Sequence, residues 1–239
     1  MPRRLAFILL ASACGRAAPV AESVTIPGSS VAFDLAWIPE GGFWIGRCEV
    51  TWDEYLLYCA FDNPEPDGVD AVARPSKPLD THPFDRRWGL GRRPAVGMSG
   101  AAAVKYCEWL SARTDRVFRL PTEQEWQIAC GARPAEIMTC SWNAANSGGF
   151  TREVGTGAAG PHGLHDMLGN LWEYCGDGSV LRGGCWQDPP EALTPAARLP
   201  FDEDWVLRDP NFPPGVWWVP DGSHLGLRVL HPGPPPSAR

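Results

Sequence analysis

Glycine and proline interrupt this chain too often for long regular elements to form. There are 26 glycines and 25 prolines among 239 residues. Glycine raises the entropy cost of fixing the backbone, and proline removes a hydrogen-bond donor. Twelve tryptophans accompany them. Large rings can pin irregular segments that no hydrogen-bond ladder holds, so the expectation is a loop-rich domain with aromatic anchors. The length allows one sizeable domain or two small ones, and the 44% apolar share is adequate for a packed core. The formal charge is −7. With no basic patch beyond short arginine pairs, nucleic acid is a poor match as partner. An acidic surface suits water or cations instead.

The first residues, "MPRRLAFILLASAC", have the layout of an export signal. Arg3 and Arg4 give the positive start, Leu5 to Leu10 a short apolar run, and Ala11, Ser12 and Ala13 a small-residue stretch before Cys14. This resembles a bacterial lipoprotein signal, with residues 1–13 removed and Cys14 lipidated; Ala11 departs from the usual leucine. Such a chain would be lipid-anchored in the cell envelope or periplasm, or otherwise secreted. No run reaches the roughly 18 apolar residues of a membrane span, so any membrane contact would run through the lipid. Seven further cysteines follow Cys14. In an oxidising compartment some of them are expected to pair.

Residues 15–30 are small and polar and read as a linker, followed by a domain over 31–231. "FDLAWIPEGGFWIG" predicts strand, turn and strand. "TWDEYLLYC" predicts a helix capped by Thr51, with Glu54 completing a capping box and Tyr55, Leu56 and Cys59 on one face. Residues 62–94 are rich in proline and charge and read as a long surface insertion. Ser99 caps a second helix whose apolar face carries Ala103, Cys107 and Leu110, with Trp109 beside them. Thr122 and Glu125 form another capping box, and Gly131 ends that helix. Beyond it lie short strands and loops, closing at "HLGLRVL", with a disordered tail over 232–239. Helices first and strands later indicate an α+β fold.

Six segments in order carry a resemblance: "WIPEGGFWIGRCEVTWDEY", "RPAVGMSGAAAVKYCEWLS", "RLPTEQEWQIACGA", "GLHDMLGNLWEY", "LRGGCW" and "HLGLRVL". Together they resemble the formylglycine-generating enzyme family, the sulfatase-modifying factors, over about Trp37 to Leu230. The resemblance implies a single compact domain of the C-type-lectin-like kind, low in regular secondary structure. Enzymes of that family oxidise a sulfatase cysteine to formylglycine with oxygen and a copper ion held by two cysteines. Here the matching positions, counted back from Ala196, Ala197 and Arg198, are Pro195 and Pro190. Proline offers no thiol to Cu(I), so the resemblance implies no copper site.

Cys185 stands where the family carries the serine of its glycine turn. Two readings stay open for it: a relocated catalytic thiol, or a small structural residue, free or in a disulfide. The loop "DMLGNLWEY" resembles one that holds Ca²⁺. Its ligands would be the Asp166 side chain, the Gly169 and Leu171 carbonyls and the Glu173 side chain. A second calcium site at Asn146 and Ser147 would lack its remaining loop. His162 and His165 are close in sequence but not at a diagnostic metal spacing. Trp186, Trp217, Trp218 and Arg198 are candidates for a binding surface, with Asp221 beside the paired tryptophans, and core packing is the alternative for the rings. The resulting expectation is a non-catalytic binding module for a peptide, glycan or partner protein. Its alternatives are an enzyme of altered chemistry acting on a peptide or small molecule, or a sulfatase-activating cysteine oxidase.

Overall fold

A computed structural model describes residues 19–61, 90–132, 134–205, 219 and 222–234. Cys14 with the export segment, most of the insertion (62–89), and Trp217, Trp218 and Asp221 lie outside the described residues.

Chain order begins with three strands, β1 (Ala21–Thr25), β2 (Ala32–Ile38) and β3 (Phe43–Gly46). They pair antiparallel in sequence order. The last strand, β8 (Leu230–His231), closes this sheet against β3. Alternation explains the apolar runs. Leu35, Trp37 and Trp44 face one core, whereas Ala36, Ile38, Phe43 and Ile45 face another. A sheet covered on both faces needs near-continuous apolar strands rather than an apolar–polar alternation.

The strand β1 falls within the segment read as a linker, and corrects that reading for residues 21–25. Val24 and Ile26 are buried, and the strand exists because β2 supplies its hydrogen-bond partners. Too short and too polar to stand alone, it left only a weak period-two signal. The tail is likewise not wholly free. Trp44 donates its indole N–H to the Pro234 carbonyl (2.9 Å).

Among the described residues, four α-helices follow the first strands. α1 (Trp52–Phe61) starts at the expected box, with the Thr51 N–H and hydroxyl both donating to Glu54 Oε1. α2 (Gly100–Thr114) is capped by Ser99, whose hydroxyl accepts from the Ala102 amide, and it ends at Asp115 in a left-handed conformation. The α2 face predicted from spacing is the buried one, including Ala103, Cys107, Trp109 and Leu110. Tyr106 shares that face. Its ring stacks on Tyr55 with centroids 5.4 Å apart, and Tyr58 meets Trp109 at 5.6 Å, so aromatic packing joins α1 to α2. Gly100 opens α2 against the Gly178 backbone, where a side chain on either residue would collide with the other. α3 (Glu123–Cys130) carries the second capping box complete, and the single-turn α4 (Ile137–Cys140) follows it.

The second sheet has the order β6-β5-β4-β7. β4 (Trp172–Cys175), β5 (Val180–Arg182) and β6 (Arg198–Pro200) are antiparallel, and β7 (Leu225–Gly226) runs parallel to β4. Leu171, Tyr174, Leu181 and Leu227 join the core built on α1 and α2. The other core surrounds Trp126 of α3 with Leu164, Leu193 and Leu230. This is the α+β arrangement expected, low in regular structure. The disulfides expected for an oxidising compartment are not formed by Cys48, Cys107, Cys130, Cys175 or Cys185, each of which carries a free thiol. Cys107 and Cys175 belong to different cores, which keeps those two apart. Among the described residues no helix is long and apolar enough to cross a membrane.

Candidate functional site

Three carboxylates and one guanidinium meet where the two sheets come together. The parallel pairing of β7 with β4 places Arg228, two residues beyond β7, against Glu173. Both side chains are fully buried. Arg228 donates from Nη2 to Glu173 Oε1 at 2.6 Å and from Nε to both carboxylate oxygens at 3.0–3.1 Å. Trp126 adds its indole N–H to Glu173 Oε2 at 2.7 Å. The guanidinium also donates to the carbonyls of Gly46 and His165, both at 2.8 Å, tying β3 to the loop before β4. Burial alone would lower the Arg228 pKa, but the Glu173 carboxylate outweighs it and holds the arginine charged.

Glu49 lies beside this pair. Its carboxylate accepts from the Asn170 side chain (2.7 Å) and the Leu171 amide (3.1 Å), clamping the loop before β4. Burial, then the neighbouring Asp166 charge, pushes the Glu49 pKa well up. Asp166 is also buried and sits at a positive φ of 57°. Its Oδ2 accepts from the Gly155 amide at 2.7 Å, while Oδ1 is buried without a partner. Burial raises its pKa, although the Gly155 bond works against that rise.

These contacts decide how well the expected calcium set fits. Asp166 keeps a spare oxygen, as a ligand would. Glu173 does not, because Arg228 and Trp126 take both of its oxygens. A calcium ion at Asp166, Gly169, Leu171 and Glu173 would have to displace a buried guanidinium, so the donor set does not fit that ion. Among the described residues, no group of three or more His, Cys, Asp or Glu side chains is placed to hold a metal. The second expected site fares similarly. Asn146 spends its amide on Met138 and Ser141 carbonyls and on the Asn143 N–H. Ser147 donates to the Trp186 carbonyl and accepts from the Gly149 amide.

The glycine turn behaves as structure. Cys185 is buried, its backbone N–H donates to Asp188 Oδ2 (2.8 Å), and its sulfur accepts from the Gln187 amide (3.4 Å). Burial and then the Asp188 charge push the thiol far up, so it stays protonated at neutral pH and is a poor nucleophile. Pro190 and Pro195 lie in the loop that follows. The Pro190 carbonyl accepts from the Leu193 amide, the Pro195 carbonyl accepts from the Gln127 side chain, and Leu193 anchors the loop in the core. Trp186 packs against the core and donates to the Ser223 carbonyl. Arg198 is half-exposed and pairs with Glu123 at 2.8 Å, which also holds Arg182 at 2.6 Å. The histidines diverge. His162 faces Glu40 at 3.4 Å, whereas His165 donates from Nδ1 to the Gly157 carbonyl.

A polar cleft of about 390 Å³ opens elsewhere, between β2, β3 and the start of α1. Asp34, Arg47, Cys48, Glu54, Arg92 and His165 are on its wall. None of residues 183–198 lines it. Gly155 permits the close approach here. Its φ is +72°, and a Cβ would stand 3.3 Å from Cys48 Sγ and 3.9 Å from the His165 ring. Burial pushes the Cys48 thiol up to about 12. Glu54 is buried, and burial pushes its pKa up to about 7 against the opposing Thr51 hydrogen bonds. Sequence reasoning assigned Glu54 only to the helix cap. Its place on a cleft wall opposite Arg92, near the far end of the insertion, gives no local signal.

Comparison with known proteins agrees with this architecture. The family model for a sulfatase-modifying factor enzyme 1-like domain matches residues 15–206. The chain belongs to this family. A serine/threonine-protein kinase pkn1 of Chlamydia pneumoniae is 31% identical over 140 residues, 46% of this chain and 22% of that protein. An inactive C-alpha-formylglycine-generating enzyme 2 of Mus musculus is 31% identical over 123 residues, 40% of this chain and 38% of its own length. The matches to these relatives therefore span well under half of their length. Treponema denticola variable protein 1 shares the fold, with a TM-score of 0.62 and 21% identity over 90% of this chain and 100% of that one.

Proposed function

We propose that this chain is an exported, non-catalytic member of its family, using the scaffold to hold a peptide, glycan or protein partner. One observation carries the reading. Where the resemblance places a copper-binding thiol pair there are Pro190 and Pro195, and the nearest thiol, Cys185, is buried and held protonated. Two thiolates are what a soft Cu(I) ion needs. The mouse relative is itself named inactive, which supports a family member without that turnover. Incubated with copper and a cysteine-containing sulfatase peptide, the purified chain is expected to form no aldehyde. Copper-dependent aldehyde formation would overturn the reading.

Export rests on residues 1–14, and Cys14 is the proposed point of lipid attachment in the cell envelope or periplasm. Mass spectrometry of the N-terminal fragment from envelope-purified protein tests it. A diacylated Cys14 is expected, and an intact Met1 start would refute it. The cleft bearing Cys48, Glu54 and His165 favours, as a second reading, an enzyme of altered chemistry acting on a peptide or small molecule.

A further inference from the structure

The polar cleft beside α1 contains an oxygen that no described residue uses. Glu54 is only 5% exposed and lines the cavity. Its Oε1 takes both bonds from Thr51, at 3.1 and 2.7 Å. Its Oε2 takes no hydrogen bond among the described residues. An open carboxylate oxygen on a buried side chain, facing a polar cavity, is placed to accept a donor from outside.

The charges around it decide which donor. Asp34 and Arg47 cancel as a pair at 3.2 Å. Glu49 also lines the cleft, but its carboxylate oxygens are committed to Asn170 and Leu171. Asp53 on α1 and Arg92, across the insertion, act on Glu54 with opposite signs, and Tyr106 packs near it from α2. Cys48 stays a neutral thiol, with His165 on the same wall. Unpaired negative charge therefore sits deep, while Arg92 is exposed. The volume of about 390 Å³ is at the small end of ligand sites.

We propose that this cleft binds a primary ammonium group, as on a lysine side chain or a small free amine, through Glu54. The inference rests on the binding-module reading and names the chemistry its partner would carry. An ammonium gives three donors on a flexible stem. It fills the unused lone pairs of Oε2 and supplies the counter-charge that burial denies the carboxylate. A guanidinium or an anion matches less well, since Glu54 offers one open oxygen rather than two and, among the described residues, the arginines of the cleft are paired (Arg47) or exposed (Arg92).

Calorimetric titration of the full chain tests this with n-butylammonium, cadaverine and Nα-acetyl-lysine methylamide, using 1-butanol as the neutral isostere. Ammonium ligands are expected to bind at least about tenfold tighter than the alcohol. Because only ionised Glu54 attracts them, affinity should rise roughly tenfold from pH 6 to pH 8. Glu54→Gln keeps a capping-box side chain and should abolish both the preference and the pH step, which separates Glu54 from His165. Arg92→Gln removes a like charge from an exposed position and should strengthen binding roughly two- to fivefold. That increase cannot come from fold damage, and it decides the matter if Glu54→Gln does not fold. Tighter binding of the lysine derivative than of cadaverine assigns the ammonium to a peptide, and the reverse order assigns it to a free amine. Equal binding of the alcohol, no binding of any amine, or an unchanged affinity in folded Glu54→Gln would overturn the proposal. The aldehyde assay is independent of these titrations, so failure of the ammonium site leaves the non-catalytic reading standing, and aldehyde formation sinks that reading whatever the amines do.

Discussion

Replacing Arg228 by methionine should cost far more than an ordinary substitution. The guanidinium is fully buried and donates to Glu173, Gly46 and His165. Methionine fills much of the volume but leaves Glu173 with Trp126 as its one remaining donor of the two, close to Glu49 and Asp166. Removing one partner of a buried ion pair typically costs about 3–5 kcal/mol. For a domain of this size, each kcal/mol shifts Tm by roughly 2–4 °C, so a fall of about 6–20 °C is expected. Equilibrium urea unfolding and calorimetry measure it directly. The double variant Arg228→Met/Glu173→Gln should recover about 2 kcal/mol or more relative to additivity, since it no longer buries an unpaired charge. A single-variant cost below about 1 kcal/mol, or simple additivity, would refute the reasoning. Calcium supplies a second arm. If Arg228 owns Glu173, millimolar Ca²⁺ leaves Tm unchanged. A ligand at a hundred times its Kd would stabilise by about 2.7 kcal/mol. A rise of that size, abolished by Glu173→Gln, would mean that the ion displaces the arginine.

Glu54 is held at a pKa of about 7 against an ordinary 4.5. Its folded pKa is raised, so wild-type stability falls as pH climbs from about 4.5 to 7, and Glu54→Gln should gain roughly 3 kcal/mol relative to wild type across that window; parallel pH profiles would refute it. Glu125 is depressed to about 2, first by its hydrogen bonds from Arg119 and then, against the pull of desolvation, by those from Thr122. Glu125→Ala should cost about 1–2 kcal/mol at pH 7 after allowance for solvent screening, with the loss shrinking as pH falls through 4.5 toward 2 in urea unfolding. Cys185 should resist iodoacetamide in the native chain at pH 8 and react on unfolding, as read by peptide mass spectrometry; rapid native alkylation would contradict its burial.

The sequence was most informative where a signal is local. Thr51 with Glu54, Ser99, and Thr122 with Glu125 each announce a helix start within four residues, and all three caps form. The apolar runs around Trp37 and Trp44 marked β2 and β3 for the same reason. What escaped was set by pairing across the chain. Arg228 meets Glu173 only because a two-residue parallel ladder aligns β7 with β4, and nothing in "HLGLRVL" announces a buried ion pair. That contact also occupies both oxygens of Glu173, which the calcium expectation treated as a free carboxylate. β1 depends on β2 for every ladder bond, so its polar stretch looked like a linker. The cleft joins Glu54 to Arg92 across a long insertion, a juxtaposition that no local spacing reveals.

The side chains that hold the scaffold together lie outside the loop at 185–195. Asn170, Glu49, Glu173, Arg228 and Trp126 form one buried network that joins both sheets to α3 and fixes the loop before β4. None of these bonds involves residues 185–195. That segment touches the network through one backbone bond, from the Trp186 N–H to the Asn170 carbonyl (3.0 Å), and is otherwise held by its own turns, by Ala144, Ser147, Ser223 and Gln127 and by Leu193 in the core. Proline at 190 and 195 fixes φ and removes an N–H, which a surface turn tolerates well. Prolines at 190 and 195 therefore leave the buried side-chain network intact. The converse does not hold. Substituting Arg228 or Glu173 would strand a buried charge even though neither residue lies in the loop where the family's copper-binding pair belongs. The polar cleft is built on α1 and the first sheet and takes no wall residue from 185–195, so the proposed ammonium site does not depend on that loop.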